Sequence, residues 1–232
     1  MRGVLTLLAA ACLASPSAFA DESGPESWAG PYAGLSGGYS WIHRHAEHFS
    51  WPSGAPLNSG KVKSEGSFGG LHAGYDFSLE SNWLVGVEAS AFYGFSRNLT
   101  TVYGGATSVT EVESHNKWRA MARARLGYLL PGTPLLAYGS FGFYYTYITT
   151  ERRQLAGTNG GLTAGMKEDE SVDAIGWIGG AGIEARIAPN WTVRAEFLHS
   201  ETTATSIFEV GRLRTDSKTH AKLILVGTSY RF

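Results

Sequence analysis

Apolar and polar side chains alternate with a period of two along most of this chain, and the alternation breaks it into eight segments. Successive side chains of an extended strand point to opposite faces, so sustained alternation predicts strands with two different surroundings. The third segment is the clearest. Trp83, Val85, Val87, Ala89, Ala91, Tyr93 and Phe95 share one face, and Gly86, Glu88, Ser90 and Gly94 the other. In the fourth, Trp118, Ala120, Ala122, Ala124, Leu126 and Tyr128 oppose Lys117, Arg119, Arg123, Arg125 and Gly127. The first segment runs through Ala33–Trp41, the second through Gly69–Phe77, the fifth through Ala137–Tyr145 and the sixth through Ile175–Ile187. In the seventh, Trp191, Val193, Ala195 and Phe197 oppose Thr192, Arg194 and Glu196. The eighth sets Ile224, Val226, Thr228, Tyr230 and Phe232 against Leu223, Leu225, Gly227, Ser229 and Arg231. Residues 117–130 are rich in helix formers. A helical wheel nonetheless scatters Arg119, Arg123 and Arg125, whereas period two separates charge from hydrocarbon, so a strand is predicted there too.

The links between segments alternate in length. Ser78–Asn82, Leu130–Pro134 and Ala188–Asn190 are short; those near 43–64, 97–114, 148–171 and 200–217 are long and polar, and are expected to be irregular. Short turns at one end and long loops at the other are the signature of a transmembrane β-barrel. Two aromatic belts are predicted along the strands. Trp28, Tyr32, Tyr75, Phe77, Trp83, Tyr128, Trp191, Tyr230 and Phe232 would lie at the short-turn rim. Tyr39, Trp41, Tyr93, Phe95, Trp118, Phe143, Tyr145, Trp177 and Phe197 would lie toward the other. Rings with an apolar face and a polar edge favour headgroup depth. An open sheet edge cannot survive in hydrocarbon, so the fold expected is all-β, an eight-stranded antiparallel transmembrane barrel closed on itself.

The amino-terminus fits export. Met1-Arg2 is a short positive region, Val4–Leu13 is apolar, and Ala18-Phe19-Ala20 supplies an A-x-A cleavage signal before Asp21. Residues 1–20 read as a signal peptide, the one helix expected, and 21–232 as the barrel domain. Reading Ala9–Cys12 as a lipoprotein signal is weaker, because Ala9 stands where leucine is expected. Cys12 is the sole cysteine, so the mature chain has no disulfide or thiol chemistry. Losing Arg2 leaves 18 basic residues against 20 acidic ones, a balance that does not suggest a nucleic-acid partner. No apolar run after residue 20 is long enough for a transmembrane helix.

Trp28-x-Gly30-x-Tyr32-x-Gly34 with Gly37-Gly38-Tyr39 resembles the opening strand of the small outer-membrane β-barrel proteins of Gram-negative bacteria, a group similar to the OmpA barrel and the opacity proteins. Gly86-Val-Glu88, Leu126-Gly-Tyr128, Gly182-Ile-Glu184, Arg194-Ala-Glu196 and Tyr230-Arg-Phe232 resemble that family's later strands. The resemblance covers residues 21–232. It implies an outer-membrane location with the amino-terminus in the periplasm, contact with outer-membrane lipid, and a terminal Tyr230 and Phe232 read by the barrel-assembly machinery. The family mixes structural proteins, narrow pores, adhesins and haem-binding members.

Candidate chemistry lies mostly on the inward face. Glu88, Arg119, Arg123, Arg125, Glu184, Arg186, Arg194 and Glu196, with His72, Asp76 and Lys117, would point into a bore just wide enough to be filled by side chains. Buried charges must pair, so a lumen network that plugs the bore is expected, with an ion path as the alternative. Catalysis is not expected. In His199-Ser200-Glu201 neighbouring residues face opposite sides, so His199 cannot act as base for Ser200. His43, His45, His48, His115, His199 and His220 fall at the outward ends of strands or in the first loop. His43, His45 and His48 are weak candidates for a haem or divalent-metal site; no cofactor is otherwise expected. The reading is a non-enzymatic barrel supporting envelope integrity and surface display through four extracellular loops, whose ligand is unknown. The alternatives are a haem or metal receptor and a narrow porin-like pore. The mature protein should begin at Asp21. Intact-mass measurement on the outer-membrane fraction tests this, and a soluble periplasmic product would overturn it.

Overall fold

The computed structural model describes residues 25–50, 52–94, 99–104, 109–159, 162–208 and 213–232. The expected signal peptide, with Cys12, and Phe95 of the predicted belt lie outside the described residues. Eight long strands form one closed antiparallel barrel: β1 (Gly30–Ser50), β2 (Pro56–Ser78), β3 (Trp83–Gly94), β4 (Val109–Leu129), β5 (Leu135–Ala156), β6 (Lys167–Ala188), β7 (Trp191–Phe208) and β8 (Leu213–Arg231). Each pairs with the next, and β8 returns to β1, with Tyr32 opposite Arg231 and Ser50 opposite Leu213. Residues 117–129 are strand, as their alternation predicts.

Burial follows the period. Along β3 the side chains from Trp83 to Phe92 are alternately exposed and buried. The exposed set is the apolar one: Leu35, Leu71, Phe141, Phe143, Ile175 and Ile183 are each at least 60% exposed. A continuous apolar surface of that kind is untenable in water and suits a hydrocarbon surround. No helix among the described residues is long and apolar enough to cross a membrane, which leaves the strands to do so.

The long links differ from expectation. The β1–β2 ladder continues to Phe49 opposite Pro56, the β5–β6 ladder to Arg153 opposite Lys167, and the β7–β8 ladder to Phe208 opposite Leu213. Leu99–Gly104 forms a further short strand against the start of β4. These segments are extended hairpins, not irregular loops. Backbone donors and acceptors still pair there, but polar side chains occupy both faces, the buried Arg152, Gln154 and Thr202 among them, so the alternation that would reveal a strand fades.

The aromatic belts are built from ring pairs. At the short-turn end Tyr75 meets Phe77 at 4.6 Å, Trp83 meets Tyr128 at 5.0 Å, and Tyr230 meets both Trp191 at 5.3 Å and Phe232 at 5.1 Å. At the hairpin end Tyr39 meets Trp41 at 5.1 Å and Tyr93 meets Trp118 at 5.3 Å. Trp28 and Tyr32 do not belong to the belt. Trp28 ends a one-turn helix, α1 (Pro25–Trp28), which the sequence does not announce, and both rings are buried inside the barrel. Tyr32 has the same parity as the inward Gly34 and Ser36, so the pleat itself dictates its direction. Gly74 on β2 lies opposite Tyr32 and makes room for it, since a Cβ there would collide with the phenol ring.

Toward the hairpin end the bore is apolar. Phe68, Phe92, Met121, Tyr144, Ile178, Leu198, Leu223 and Leu225 pack into one buried cluster, with Phe68 and Phe92 edge to face at 5.3 Å. Phe92 fits because Gly70, its partner on β2, has no side chain; a Cβ there would strike the backbone of Ala91 and Phe92. Phe92→Ala should cost about 3–5 kcal/mol, the usual cost of emptying a buried aromatic site. Urea titration of protein refolded into vesicles should show the lower midpoint, while gel mobility of the folded form stays unchanged.

Candidate functional site

Below the apolar cluster, every inward position of β2, β3, β4, β6, β7 and β8 within one belt of the bore brings a charge, a hydroxyl, an imidazole or a glycine. The pleat aims Glu88 from β3, Arg123 and Arg125 from β4, Glu184 from β6, Arg194 and Glu196 from β7, Asp76 from β2 and Arg231 from β8 at a common centre, and all are buried. Glu88 is the hub. Arg123 donates to it at 2.5 Å, Arg194 also pairs with it, and Tyr32 donates its hydroxyl at 3.0 Å. Arg123 also reaches Glu196 at 3.2 Å, where Tyr138 donates at 2.8 Å. Arg125 donates to Glu184 at 2.8 Å and to Tyr32 at 3.1 Å, and lies 3.4 Å from Asp76. Arg231 closes the circuit, contacting Asp76 at 2.9 Å and Glu184 at 3.0 Å. Thr192 fills a remaining site on Glu184 at 2.7 Å.

Four guanidiniums thus face four carboxylates, so the centre is neutral although it is densely charged. Burial of each ion is costly, and Glu88, Glu184 and Glu196 each accept from two or more donors, while Asp76 accepts from Arg231 through one oxygen and meets Arg125 only as an ion pair. Rings flank it: the Arg125 guanidinium lies 4.3 Å from the Tyr138 ring and that of Arg231 lies 5.0 Å from Trp28. Above the network, His72 bridges Ser36 and Ser229 at 2.8 Å each, tying β2 to β1 and β8.

All eight residues expected in the network point into the bore and are buried. Two stand apart from the four-by-four centre. Arg119 donates to Ser40 at 3.4 Å and lies over the Phe68 ring at 5.6 Å. Arg186 donates to the Ser27 carbonyl at 2.6 Å and lies 4.9 Å from Trp28, so it fastens α1 into the bore. Lys117 falls at a register shift in the β4–β5 ladder, and its side chain is outside the described residues. The sequence reading missed Arg231, Tyr32 and Tyr138 as members. Their inward parity is the signal in the sequence; residue type alone points Tyr32 to the belt.

The histidines divide. His43 and His45 face outward, whereas His48, an odd number of residues on, faces the bore and contacts Thr215 at 2.9 Å. The wall of the barrel therefore separates the weak haem or metal candidates His43, His45 and His48, and they form no common site. His43 sits opposite His220, which stacks on His199 with centroids 6.2 Å apart. The His115 side chain is outside the described residues. No group of three or more His, Cys, Asp or Glu among the described residues is placed to hold a metal. Ser200 is buried inside while His199 lies outside, tilted against Trp177 with centroids 5.4 Å apart, so the pleat keeps base and hydroxyl apart.

An exposed apolar exterior, a sealed bore and ladders extended at one end are the features of an outer-membrane barrel, and the model of the outer membrane protein beta-barrel domain matches residues 5–232. The chain belongs to that family. Among its relatives, the 31 kDa outer-membrane immunogenic protein of Brucella melitensis is 25% identical over 242 aligned positions, which take in 100% of this chain and 98% of that one. The 25 kDa outer-membrane immunogenic protein of Brucella abortus is 27% identical, over 89% of this chain and 80% of its own. Among solved structures, the outer membrane protein OprG of Pseudomonas aeruginosa aligns with a TM-score of 0.56 at 15% identity, covering 88% of this chain and 96% of that one. The latter likeness speaks for the fold alone.

Family membership leaves the role of the network to be tested directly. Glu88→Ala removes the shared partner of Arg123 and Arg194 and should destabilise the barrel by about 3–5 kcal/mol, as when other buried pairs lose one member. The urea midpoint in vesicles and the stability of the fast-migrating gel form measure this. Unchanged stability would mean that the network is hydrated and dispensable.

Proposed function

We propose that this protein is a non-enzymatic barrel of the outer membrane that contributes to envelope integrity and displays four hairpins at the cell surface. The observation that carries the reading is the double seal of the bore, a neutral arginine–carboxylate network beneath a packed apolar cluster. A pore would keep its lumen charges hydrated and spaced, whereas here the carboxylates are taken up by guanidinium, phenol and threonine donors. The same saturation leaves no acid, base or nucleophile poised for catalysis among these residues. Nothing in the site calls for a cofactor, and the division of His43, His45 and His48 across the wall weighs against a haem or metal receptor.

Orientation follows from hairpin length: the short turns, with the amino-terminus, lie in the periplasm and the extended hairpins outside. The Brucella relatives are described as immunogenic outer-membrane proteins, which accords with hairpins exposed to the surroundings. Tyr230 and Phe232, paired on the lipid side of the last strand, serve as the signal for the barrel-assembly machinery.

The mature chain is cysteine-free, so single cysteines report orientation cleanly. Ser53→Cys in the β1–β2 hairpin should react with a membrane-impermeant maleimide on intact cells, and Glu80→Cys in a short turn only after the outer membrane is permeabilised. Planar bilayers holding the wild-type protein should show no unitary current steps. The opposite labelling pattern would invert the topology, and regular current steps would make the protein a pore.

A further inference from the structure

Four of the six lysines in the sequence, Lys61, Lys63, Lys218 and Lys222, stand on one outward face of the barrel. Cross-strand registry assembles them. Lys63 lies opposite His43, which lies opposite His220; Lys61 lies opposite His45, which lies opposite Lys218; Lys222 lies opposite Trp41 on one side and His199 on the other. All four lysines are exposed, and none has a carboxylate partner among the described residues. The acids nearby are engaged elsewhere: Glu65 with Tyr39, Glu47 with His45 at 3.7 Å, Glu201 with His220 at 3.7 Å and Asp216 with Arg214 at 2.9 Å. Between His45, Thr203, Arg214 and Lys218 the face is hollowed by about 550 Å³, with Glu47 and Asp216 also in its lining.

Depth is set by the aromatic belt. Lys222 is level with Trp41, Lys63 lies one outward rung further toward the hairpin tips and Lys61 and Lys218 two. Cations at that level face the headgroup layer of the leaflet around the hairpin end, not water alone and not hydrocarbon. The other side of the barrel is different. On β5 and β6 the outward rungs carry Glu151, Asp169 and Asp173, whose partners are Arg153 at 3.0 Å, Lys167 at 3.8 Å and the Tyr145 hydroxyl at 2.6 Å. The three carboxylates there outnumber their two cations, whereas the β8–β1–β2 face sets Arg214 and four lysines, none of the lysines paired among the described residues, against Glu47, Glu65, Glu201 and Asp216.

We propose that the β8–β1–β2 face docks the phosphate groups of the outer-leaflet glycolipid, lipid A. An ammonium is a compact, strongly hydrated point charge that suits a phosphate monoester at a wet interface. Imidazole N–H groups of His43, His199 and His220 add directed donors between the lysines, and Trp41 and Trp177 pack beside the sugar and upper acyl chain. The lipid is then held on one side of the barrel, not around its whole girth. The inference rests on the orientation proposed above, which puts this end in the outer leaflet.

The test uses the full mature protein refolded in detergent, so it does not depend on orientation in cells. Bisphosphorylated lipid A, its dephosphorylated form and phosphatidylglycerol are each titrated, and bound lipid is read by native mass spectrometry. Lipid A should be retained, and Lys61→Gln/Lys63→Gln/Lys218→Gln/Lys222→Gln should weaken it by about a hundredfold or more, given the attraction each surface cation contributes at an anionic membrane. Either double variant, Lys61→Gln/Lys63→Gln or Lys218→Gln/Lys222→Gln, should weaken it by about tenfold, which keeps the test open if the quadruple variant does not refold. Arg153→Gln/Lys167→Gln on the opposite face should leave retention unchanged. Equal retention by wild type and lysine variants, or undiminished binding of the dephosphorylated lipid, would overturn the proposal. Phosphatidylglycerol bound as tightly as lipid A would overturn the assignment to glycolipid.

Discussion

Hydrocarbon offers no partner to a backbone N–H or C=O, and the rest of the structure descends from that constraint. The sheet must close, which here happens when β8 returns to β1 through nineteen paired positions from Tyr32–Arg231 to Ser50–Leu213. Closure with eight strands fixes a narrow bore that side chains can fill. Once the bore is narrow, every inward charge is buried, and a buried charge must find its opposite. Glu88 between Arg123 and Arg194, and Glu184 between Arg125 and Arg231, are consequences of wall geometry as much as of the residues themselves.

The strand faces and the membership of the bore were legible because the pleat has a period of two and the two faces meet different media. That is why Glu88, the β4 arginines and the Arg194–Glu196 pair could be assigned to the lumen from spacing alone. Legibility failed at three places, each for a physical reason. Beyond the belt both faces of a hairpin carry polar side chains, even where the inner one is buried as at Arg152, Gln154 and Thr202, so the ladders of β5–β6 and β7–β8 leave no hydrophobic rhythm. Trp28 lies outside any strand, and its place beneath Arg186 and Arg231 depends on a turn of helix that four residues cannot advertise. Of the apolar storey only Leu223 and Leu225 are legible as an inward pair; Phe92 and Met121 interrupt faces that otherwise read as polar or small, and grouping all four requires the stagger between strands, which a single strand's pattern does not contain.

Arginine and lysine are used differently across the wall. Arg119, Arg123, Arg125, Arg152, Arg186, Arg194 and Arg231 are buried, while Lys61, Lys63, Lys167, Lys218 and Lys222 are exposed. A planar guanidinium is weakly hydrated and can serve two carboxylates at once, as Arg123 does for Glu88 and Glu196. An ammonium keeps its water and belongs at the interface. These lysines therefore keep to the wet exterior, while arginine serves on both sides of the wall, with Arg153 and Arg214 exposed beside Glu151 and Asp216.

An apolar filling would seal the same bore, so the reason for a charged storey lies in what it discriminates. A slip of one residue between strands would turn every side chain to the wrong face, and hydrophobicity alone forbids it. A slip of two keeps parity and returns apolar residues to the interior, so a purely apolar bore resists it weakly. The network does not tolerate it. Moving β3 by two residues against β4 would set Glu88 opposite Met121 in one direction, and in the other opposite Arg125 with Arg123 left facing Ser90, so either slip strands a buried charge. Losing one partner of a buried pair costs about 3–5 kcal/mol, and Glu88 also ties β3 to β7 through Arg194. Because Arg231 on β8 must reach Asp76 on β2 and Glu184 on β6, the last strand is checked against the same standard as it closes the barrel. The apolar storey supplies packing, and the charged storey selects the one stagger in which four arginines and four carboxylates all meet.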